Sequence, residues 1–193
     1  MADLITLDDY KTYQGISSTK DDDKLELLVP SISQLVKTYC ANSIVDYYTT
    51  PKVEYFSLDY GTHLIQLTES PILNISSVEI RENFGGDYTA LESTRYFLDD
   101  KTDSLIRTNS NTYKDWPEGP NSVKVTYTAG YEDTPLDLKL AVVDLITFYA
   151  KDEYKTRQTL SGATRETGES SMRNSPAFPD HIKRVLDLYK LNP

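Results

Sequence analysis

The spacing of apolar and polar positions divides the chain into helical and extended regions. Apolar residues recur every three or four positions from residue 25 to 40 and again from 138 to 149, which predicts two amphipathic helices. Between residues 52 and 131 the period falls to two, which predicts strands of an antiparallel sheet structure. Six such runs lie at 53–56, 63–67, 75–80, 96–98, 104–107 and 123–127. This order predicts an α+β fold: a small helical bundle with an inserted antiparallel β-rich region and a C-terminal extension.

Capping signals predict where the first two helices begin and end. Thr6 followed by Asp9 is a capping-box pattern, so a short helix is expected from about residue 7 to 14, ending at Gly15. The acidic run 21–23 favours the start of a second helix that continues to about residue 45. Pro30 lies inside this pattern, so the helix is either kinked there or restarted with Pro30 in its first turn.

The clearest helix start lies after the strands. Thr134 is a capping residue, Pro135 suits the first helical position and Asp137 adds an acid to the first turn. A helix is therefore expected to run from there to Glu153 or Arg157. Its apolar face should pack on the face of the second helix that carries Cys40, which makes this cysteine a core residue.

The C-terminal part of the chain has a different composition. Residues 158–177 are polar and rich in small side chains, which is typical of a mobile linker that orders only on a partner. A last helix should open at Phe178 and Pro179. The predicted organisation is one domain overall, made of N-terminal bundle helices (1–50), a β-rich insertion (51–133), a bundle helix (134–157) and a C-terminal linker with its helix (158–193).

Composition excludes several classes of protein. The chain has 193 residues, and no apolar run approaches the roughly 20 residues of a membrane-spanning helix. The N-terminus has no secretory signal pattern, so the chain is expected to stay in the cytoplasm where it is made. With one cysteine and two histidines, neither a disulfide framework nor a zinc site is expected, and no cofactor is predicted.

The net charge of −10 disfavours general nucleic-acid binding, because acidic surfaces repel phosphate. The charge is unevenly distributed: residues 1–150 carry a net −12 and residues 151–193 a net +2. Of 21 aromatic residues, 15 are tyrosine, a residue suited to surfaces that become buried on contact. The uneven charge marks the last segment as a different part of the chain, and the tyrosine content favours assembly over catalysis.

The clusters of acidic residues have plain structural explanations. Asp21–Asp23 fit the N-terminus of a helix better than a divalent-cation site, and Asp99, Asp100 and Asp103 fit a solvated turn better than a calcium loop. Carboxylate pairs such as Glu79 with Glu82 arise by chance in a chain with 30 acids. No nucleophile motif surrounds the histidines. The chain is therefore predicted not to be an enzyme.

Four stretches, taken in order, carry a resemblance to a known family. They are Leu4–Asp9 followed by an acidic helix start, Ser70–Ile80 with the later Tyr96–Asp99, Trp116–Pro117 with Val123–Tyr131 and the Pro135 helix, and Phe178–Pro179 before Ile182–Leu186. The chain resembles the head-tail connector proteins of tailed phages, the adaptor or head-completion proteins that bind beneath the portal ring. Two features depart from the family pattern: Pro30 lies in the second helix, and residues 158–177 form a longer segment than expected.

The resemblance implies a ring, usually dodecameric in the virion, whose subunits bind the portal protein and present a lower surface to a tail or stopper protein. It also implies that the C-terminal segment docks on the portal. The expected apolar contacts are Phe178, Pro179, Ile182, Val185, Leu186 and Tyr189. An alternative is that residues 182–189 only complete the helical bundle.

DNA would pass through such a ring without specific binding, and carboxylates facing the lumen would prevent adhesion. The candidate lumen-facing acids are Asp21, Asp22, Asp23, Asp99, Asp100 and Asp103. Two other functions remain open: another neck, tail-completion or stopper protein of the virion, and an acidic DNA mimic that binds a nuclease or polymerase.

Overall fold

The first helix begins and ends where its capping signals predict. A computed structural model describes residues 2–83, 85–151, 158–160, 163–165 and 178–191, and in it helix α1 spans Leu7–Gln14. The Thr6 hydroxyl accepts from the Asp9 amide, and the Asp9 carboxylate accepts from the Thr6 amide, each at 3.0 Å. Gly15 ends the helix in the left-handed conformation. The predicted capping box is therefore confirmed.

Helix α2 spans Asp22–Cys40 and runs without interruption through Pro30. It ends before the expected residue 45 because Ala41 adopts a left-handed conformation with φ of 52°, and its amide bonds the carbonyls of Lys37 and Thr38. The predicted restart at Pro30 is wrong, since the proline lies in the helix interior on the exposed side.

Helix α3 spans Leu136–Ala150, one residue later than expected. Pro135 is the N-cap residue itself, with extended backbone, and no capping hydrogen bond comes from a side chain. The helix ends at Ala150, earlier than predicted, and residues 152–157 lie outside the described part of the chain. Helices α2 and α3 pack along the predicted faces, and Val36, Cys40, Val142 and Leu145 are fully buried.

Two further elements lie in the C-terminal segment. Strands β9 (Gln158–Leu160) and β10 (Ala163–Arg165) form one antiparallel pair inside the stretch predicted as a linker, and helix α4 spans Asp180–Leu186. The rest of the predicted linker, residues 161–162 and 166–177, lies outside the described residues. The mobility of the whole stretch therefore stays a prediction.

Six longer strands match the runs predicted from the period of two, and two very short strands were not predicted. The strands are β1 (Lys52–Leu58), β2 (Leu64–Gln66), β3 (Ile72–Ile80), β4 (Thr89–Ala90), β5 (Tyr96–Asp99), β6 (Ser104–Asn109), β7 (Thr112–Tyr113) and β8 (Gly119–Ala129). They form an antiparallel sheet in the order β1-β8-β3-β4 and a second in the order β2-β6-β5, with β7 on β6. Strands β4 and β7 have two residues each, too few to show a period.

The chain divides into two compact units. The helical unit comprises Met1–Ala41 with Thr134–Lys190, and the sheet unit is built on Asn42–Asp133. The sheet unit is thus inserted in the chain between α2 and α3. Mixed helices and antiparallel sheets confirm the predicted α+β class. No helix of the described residues has the length and hydropathy needed to cross a membrane.

Both sheets contribute to one core within the sheet unit. Trp116 and Tyr127 are its largest buried side chains. They are surrounded by Leu67, which follows β2, and by aliphatic residues of β2, β3, β6 and β8: Ile65, Val78, Ile80, Leu105, Val123 and Val125. The Trp116 indole donates to the His63 carbonyl at 3.0 Å, and the Tyr127 hydroxyl donates to Glu54 at 2.7 Å. Each sheet therefore has one face on this core and one outer face.

The segments that enter and leave the sheet unit are joined to each other. The Tyr131 amide donates to the Ile44 carbonyl at 2.7 Å, and Gly130, with φ of 94°, lies directly against that carbonyl. The buried Glu69 carboxylate accepts from the Ser43 amide and hydroxyl at 2.8 and 2.7 Å. Only glycine fits at position 130, because a Cβ there would overlap the Ile44 carbonyl oxygen.

Candidate assembly surfaces

The structure places the predicted C-terminal contact residues on the helical unit. Phe178, Ile182 and Leu186 are 6%, 2% and 0% exposed, whereas Pro179, Val185 and Tyr189 are half-buried. The Phe178 ring lies 4.8 Å from the Tyr39 ring of α2, centroid to centroid, and the Cys40 thiol donates to the Leu186 carbonyl at 3.6 Å. Three of the six residues are thus part of the bundle core.

Polar contacts also fasten the end of this segment. The Tyr39 hydroxyl donates to Asp187, and the Tyr189 hydroxyl donates to Asp137 of α3, both at 2.6 Å. Desolvation, together with the neighbouring Asp187 carboxylate, raises the pKa of Tyr39 to about 12. Burial likewise raises the pKa of the Cys40 thiol to about 12, so this cysteine is a neutral core residue, as predicted.

The first group of candidate lumen-facing acids lies at the start of α2. Asp21 and Asp23 are exposed, and Asp22 forms an ion pair with Lys11 of α1 at 2.9 Å. Asp21 is the N-cap residue, with no capping bond from its side chain, and Asp22 and Asp23 lie in the first helical turn. Two of these three carboxylates therefore remain available to solvent.

The second group lies in the turn between β5 and β6 of the sheet unit. Asp99 accepts from the Lys101 amide at 3.1 Å, and Asp103 accepts from the Ile72 amide at 2.9 Å. Asp103 has a positive φ of 50°, and its carbonyl accepts from the Leu67 amide. Asp99 and Asp103 therefore stabilise the turn through these hydrogen bonds, and only Asp100 of the three is fully exposed. Within the described residues, no three His, Cys, Asp or Glu side chains cluster as metal ligands would.

An apolar row on the outer face of the second sheet was not predicted. Leu64 pairs with Ile106, and Ile106 pairs with Phe97, so these three side chains lie side by side across β2, β6 and β5. Leu64 is 40% exposed and Phe97 is 59% exposed. The next row, Ile65, Leu105 and Leu98, faces the core. We call Leu64, Ile106 and Phe97 the outer row.

Tyr113 extends the outer row. It pairs with Thr108, two residues beyond Ile106 on the same face of β6, and it is 72% exposed. Its ring lies 4.7 Å from the His63 ring, centroid to centroid. A sequence signal existed, because the runs at 63–67 and 96–98 are apolar at neighbouring positions, which puts apolar residues on both faces of a strand. Only the strand register shows that these residues share one face.

The outer face of the first sheet is different in character. Tyr55 is 52% exposed, but its ring lies 6.3 Å from that of Tyr88, and the Lys124 amine is paired with Glu79 at 3.1 Å and lies 5.7 Å from the Tyr88 ring. This face therefore combines aromatic rings with a salt bridge, as solvent-facing sheets commonly do.

The helical unit has its own exposed apolar side chains. Leu136 and Leu140 on α3 are 83% and 44% exposed, and with Tyr13 of α1, 58% exposed, they line a shallow groove. Lys139 also lines this groove, next to the capping carboxylate of Asp9. On α2, Leu27 is 70% exposed. Apolar side chains grouped along one groove are typical of contacts with other proteins, whereas a single exposed leucine is common on any protein surface.

Sequence comparison identifies the family. A family model described as head completion protein matches residues 3–191. The chain belongs to the head completion protein family. It is 22% identical over 194 residues to the head completion protein of Escherichia phage T5, and the match covers 97% of this chain and 98% of that protein.

Solved structures share the fold at low sequence identity. The neck of an empty gene transfer agent particle, computed with C6 symmetry, matches with a TM-score of 0.62 at 12% identity, covering 98% of this chain and 91% of that chain. The neck of the native particle, computed with C12 symmetry, matches with a TM-score of 0.58 at 12% identity, covering 100% and 95%. These likenesses confirm the α+β fold.

Family membership confirms the resemblance to tailed-phage head-tail connector proteins. This head completion family member has a structural connector role and belongs at the head-tail interface of the virion.

Proposed function

We propose that the protein is a head-tail adaptor: its copies form a ring, bind the portal ring on one side and a tail or stopper protein on the other, and link the DNA-filled head to the tail. The family match over residues 3–191 carries this proposal. It covers both units, so the proposal concerns the whole chain.

Ring formation is supported by the exposed apolar surface of the helical unit. A closed ring needs two different surfaces on each subunit, because each copy contacts its neighbours head to tail. The groove at Leu136 and Leu140 and the exposed Leu27 of α2 are candidates for the two contacts. The neck structures with the same fold carry C6 and C12 symmetry, in line with a dodecameric ring.

Portal docking is proposed for the C-terminal segment. Its net charge of +2 after a body of −12 reduces repulsion against a partner. With α4 in place, Pro179, Val185 and Tyr189 are the members of the predicted set that a portal subunit can reach. Docking through Phe178, Ile182 and Leu186 requires α4 to exchange its bundle contacts for portal contacts, and their burial supports the alternative that they complete the bundle.

Hydrogen bonds and an ion pair limit which of the candidate acids can face the DNA channel of a ring. Asp21, Asp23 and Asp100 are the exposed carboxylates of the two groups, whereas Asp22, Asp99 and Asp103 also make structural contacts. We expect one of the two groups, Asp21 with Asp23 or else Asp100, to face the DNA channel and repel phosphate. A cryo-EM map of the ring that places both groups on the outer wall would refute this.

The test is native mass spectrometry of the protein alone and mixed with the purified portal ring encoded with it. The expected result is a complex with about one copy per portal subunit. A folded protein that does not bind the portal ring but binds the tail-side protein would instead be a stopper or tail-completion protein. Salt-sensitive inhibition of a nuclease, without either complex, would favour the DNA mimic.

A sharper test separates docking from bundle stability. Val185→Ser changes a half-exposed residue of α4 and should weaken portal binding while leaving the melting temperature nearly unchanged. Truncation after Arg157 should abolish portal binding from a folded protein if the segment only docks. Insoluble or unfolded truncated protein, with full binding by the Val185 variant, would support the bundle alternative.

A further inference from the structure

We propose that the outer row of the second sheet is the docking surface for the tail-side protein, and that this partner presents an apolar contact rimmed by lysine or arginine. The inference rests on the proposed adaptor function. The surface is defined by Leu64, Ile106 and Phe97, with Tyr113 at one end.

The outer face of the second sheet departs from the usual alternation of apolar and polar residues. A sheet with one face on the core normally places polar residues on the other face; the first sheet has its Lys124–Glu79 pair there, with Val53 and Tyr55 of β1 exposed on the same face. The second sheet instead aligns three apolar side chains from three neighbouring strands. Strand pairing holds them in one row, so the patch is preformed and costs little ordering on contact. Contiguous exposed apolar patches of this kind mark interaction sites.

Charge decides which partner fits. Residues 42–133 carry 15 acidic and 7 basic side chains, a net charge of −8, while the whole chain carries −10. At one end of the outer row, Asp99 lies on the same face of β5 as Phe97, and exposed Asp100 follows it. A second copy of the sheet unit would bring another −8 to this face, whereas a basic partner would be attracted to it.

The proposed portal contact leaves this surface unused. The portal-docking residues belong to the C-terminal segment of the helical unit, and the apolar surfaces proposed for ring contacts, Leu27 and the Leu136 groove, also belong to that unit. If the adaptor contacts its neighbours and the portal through the helical unit, the outer row stays available for the tail-side protein.

The experiment is a binding titration of the purified tail-side protein against wild type and two variants. Phe97→Ser removes a side chain of the outer row that is 59% exposed, compared with 40% for Leu64. Tyr60→Ser is the matched control, since Tyr60 is 74% exposed in the same unit and lies outside the paired strands. We expect Phe97→Ser to weaken binding by about tenfold or more, and Tyr60→Ser by less than about twofold.

Leu64→Thr is a second variant, made on a different strand, and it should weaken binding in the same direction. The changed side chains lie largely in solvent, so we expect all variants to fold. Circular dichroism melts check this. Affinity should fall as salt is raised from 50 to 500 mM, since a basic rim facing Asp99 and Asp100 is screened by salt. Asp100→Lys should weaken binding for the same reason.

Several outcomes would overturn the proposal. Binding of the tail-side protein that Phe97→Ser and Leu64→Thr leave unchanged, or no binding by the wild type, excludes this surface for that partner. Loss of ring formation or of portal binding in Phe97→Ser would assign the row to a second copy or to portal. Failure of the wild type in the portal mixture, with tail-side binding intact, would instead defeat the adaptor function and leave the outer row standing.

Discussion

Both units expose apolar side chains, Leu136 and Leu140 on a helix of one and Leu64 and Phe97 on paired strands of the other, but the two units differ in net charge. The helical unit, near neutral at a net −2, packs its own C-terminal helix into its core through Phe178, Ile182 and Leu186. The sheet unit carries a net −8 and leaves Leu64 and Phe97 exposed on one face. Excess charge of one sign opposes self-association, so an acidic unit can expose an apolar row with less tendency to aggregate.

The largest expected effect tests whether the two units unfold separately. Gly130→Ala forces a Cβ against the Ile44 carbonyl at a positive φ, and it should destabilise the sheet unit by ~4 kcal/mol. Trp116 is the only tryptophan and is buried in the sheet unit, so its fluorescence reports that unit during urea unfolding. Ellipticity at 222 nm reports the helices.

Gly15→Ala is the matched control for that experiment, because Gly15 also has a positive φ but no atom lies within 4 Å of its added Cβ. It should cost about 1 kcal/mol, on the helical side. Separate transitions in the Gly130 variant would sharpen the division into units. Coincident transitions would support one domain overall, as the sequence predicted.

The second prediction concerns the core role of α4. Ile182→Ala removes a side chain that is 2% exposed and should destabilise the helical unit by ~3 kcal/mol, because the cavity is lined by packed helices. The 222 nm transition should move to lower urea. A change of less than about 0.5 kcal/mol would show that α4 is not held on the bundle in solution.

The third prediction is a pH dependence at Tyr39. Its folded pKa of about 12 exceeds the ordinary value of 10.0, so the folded chain holds this proton more tightly than the unfolded chain does. The stabilisation is complete below pH 10 and is lost as the pH rises to 12. Tyr39→Phe should cost about 1 kcal/mol at pH 7 and flatten this alkaline loss.

Urea unfolding of wild type and Tyr39→Phe at pH 8, 10 and 11 measures this difference. Tyr13→Phe, at an exposed position of the same unit, is the control. Equal alkaline losses in wild type and the Tyr39 variant would contradict a special role of the contact with Asp187.

The smallest effect is expected on the polar outer face of the first sheet. Glu79→Gln breaks the ion pair with Lys124, whose side chain is 25% exposed like that of its partner, and should cost about 0.5 kcal/mol. The loss should shrink in 0.5 M salt. A loss above 2 kcal/mol, measured by Trp116 fluorescence, would mean that this face is more strongly coupled to the sheet core than its exposure indicates.

Local signals in the sequence predicted much of the fold. The Thr6–Asp9 capping box, Gly15 and the apolar faces of α2 and α3 act between residues close in sequence or along one helix, so periodicity reveals them. The six longer strands follow from the period of two. The early end of α2 at Ala41 escaped prediction because its conformation depends on a backbone torsion that alanine rarely adopts.

The features proposed for assembly were also predicted only in part from the sequence. The sequence alone determined the acidic body, the basic tail, the α+β class and the apolar residues of α4. Tertiary structure decided that Phe178, Ile182 and Leu186 are buried, because only packing against α2 and α3 shows which face of a short helix is covered. It also decided that Leu64, Ile106 and Phe97 form one row. Strand register joins Leu64 to Ile106, which lie 42 positions apart, and Ile106 to Phe97 across a turn, and the alternation within one strand does not encode these pairings.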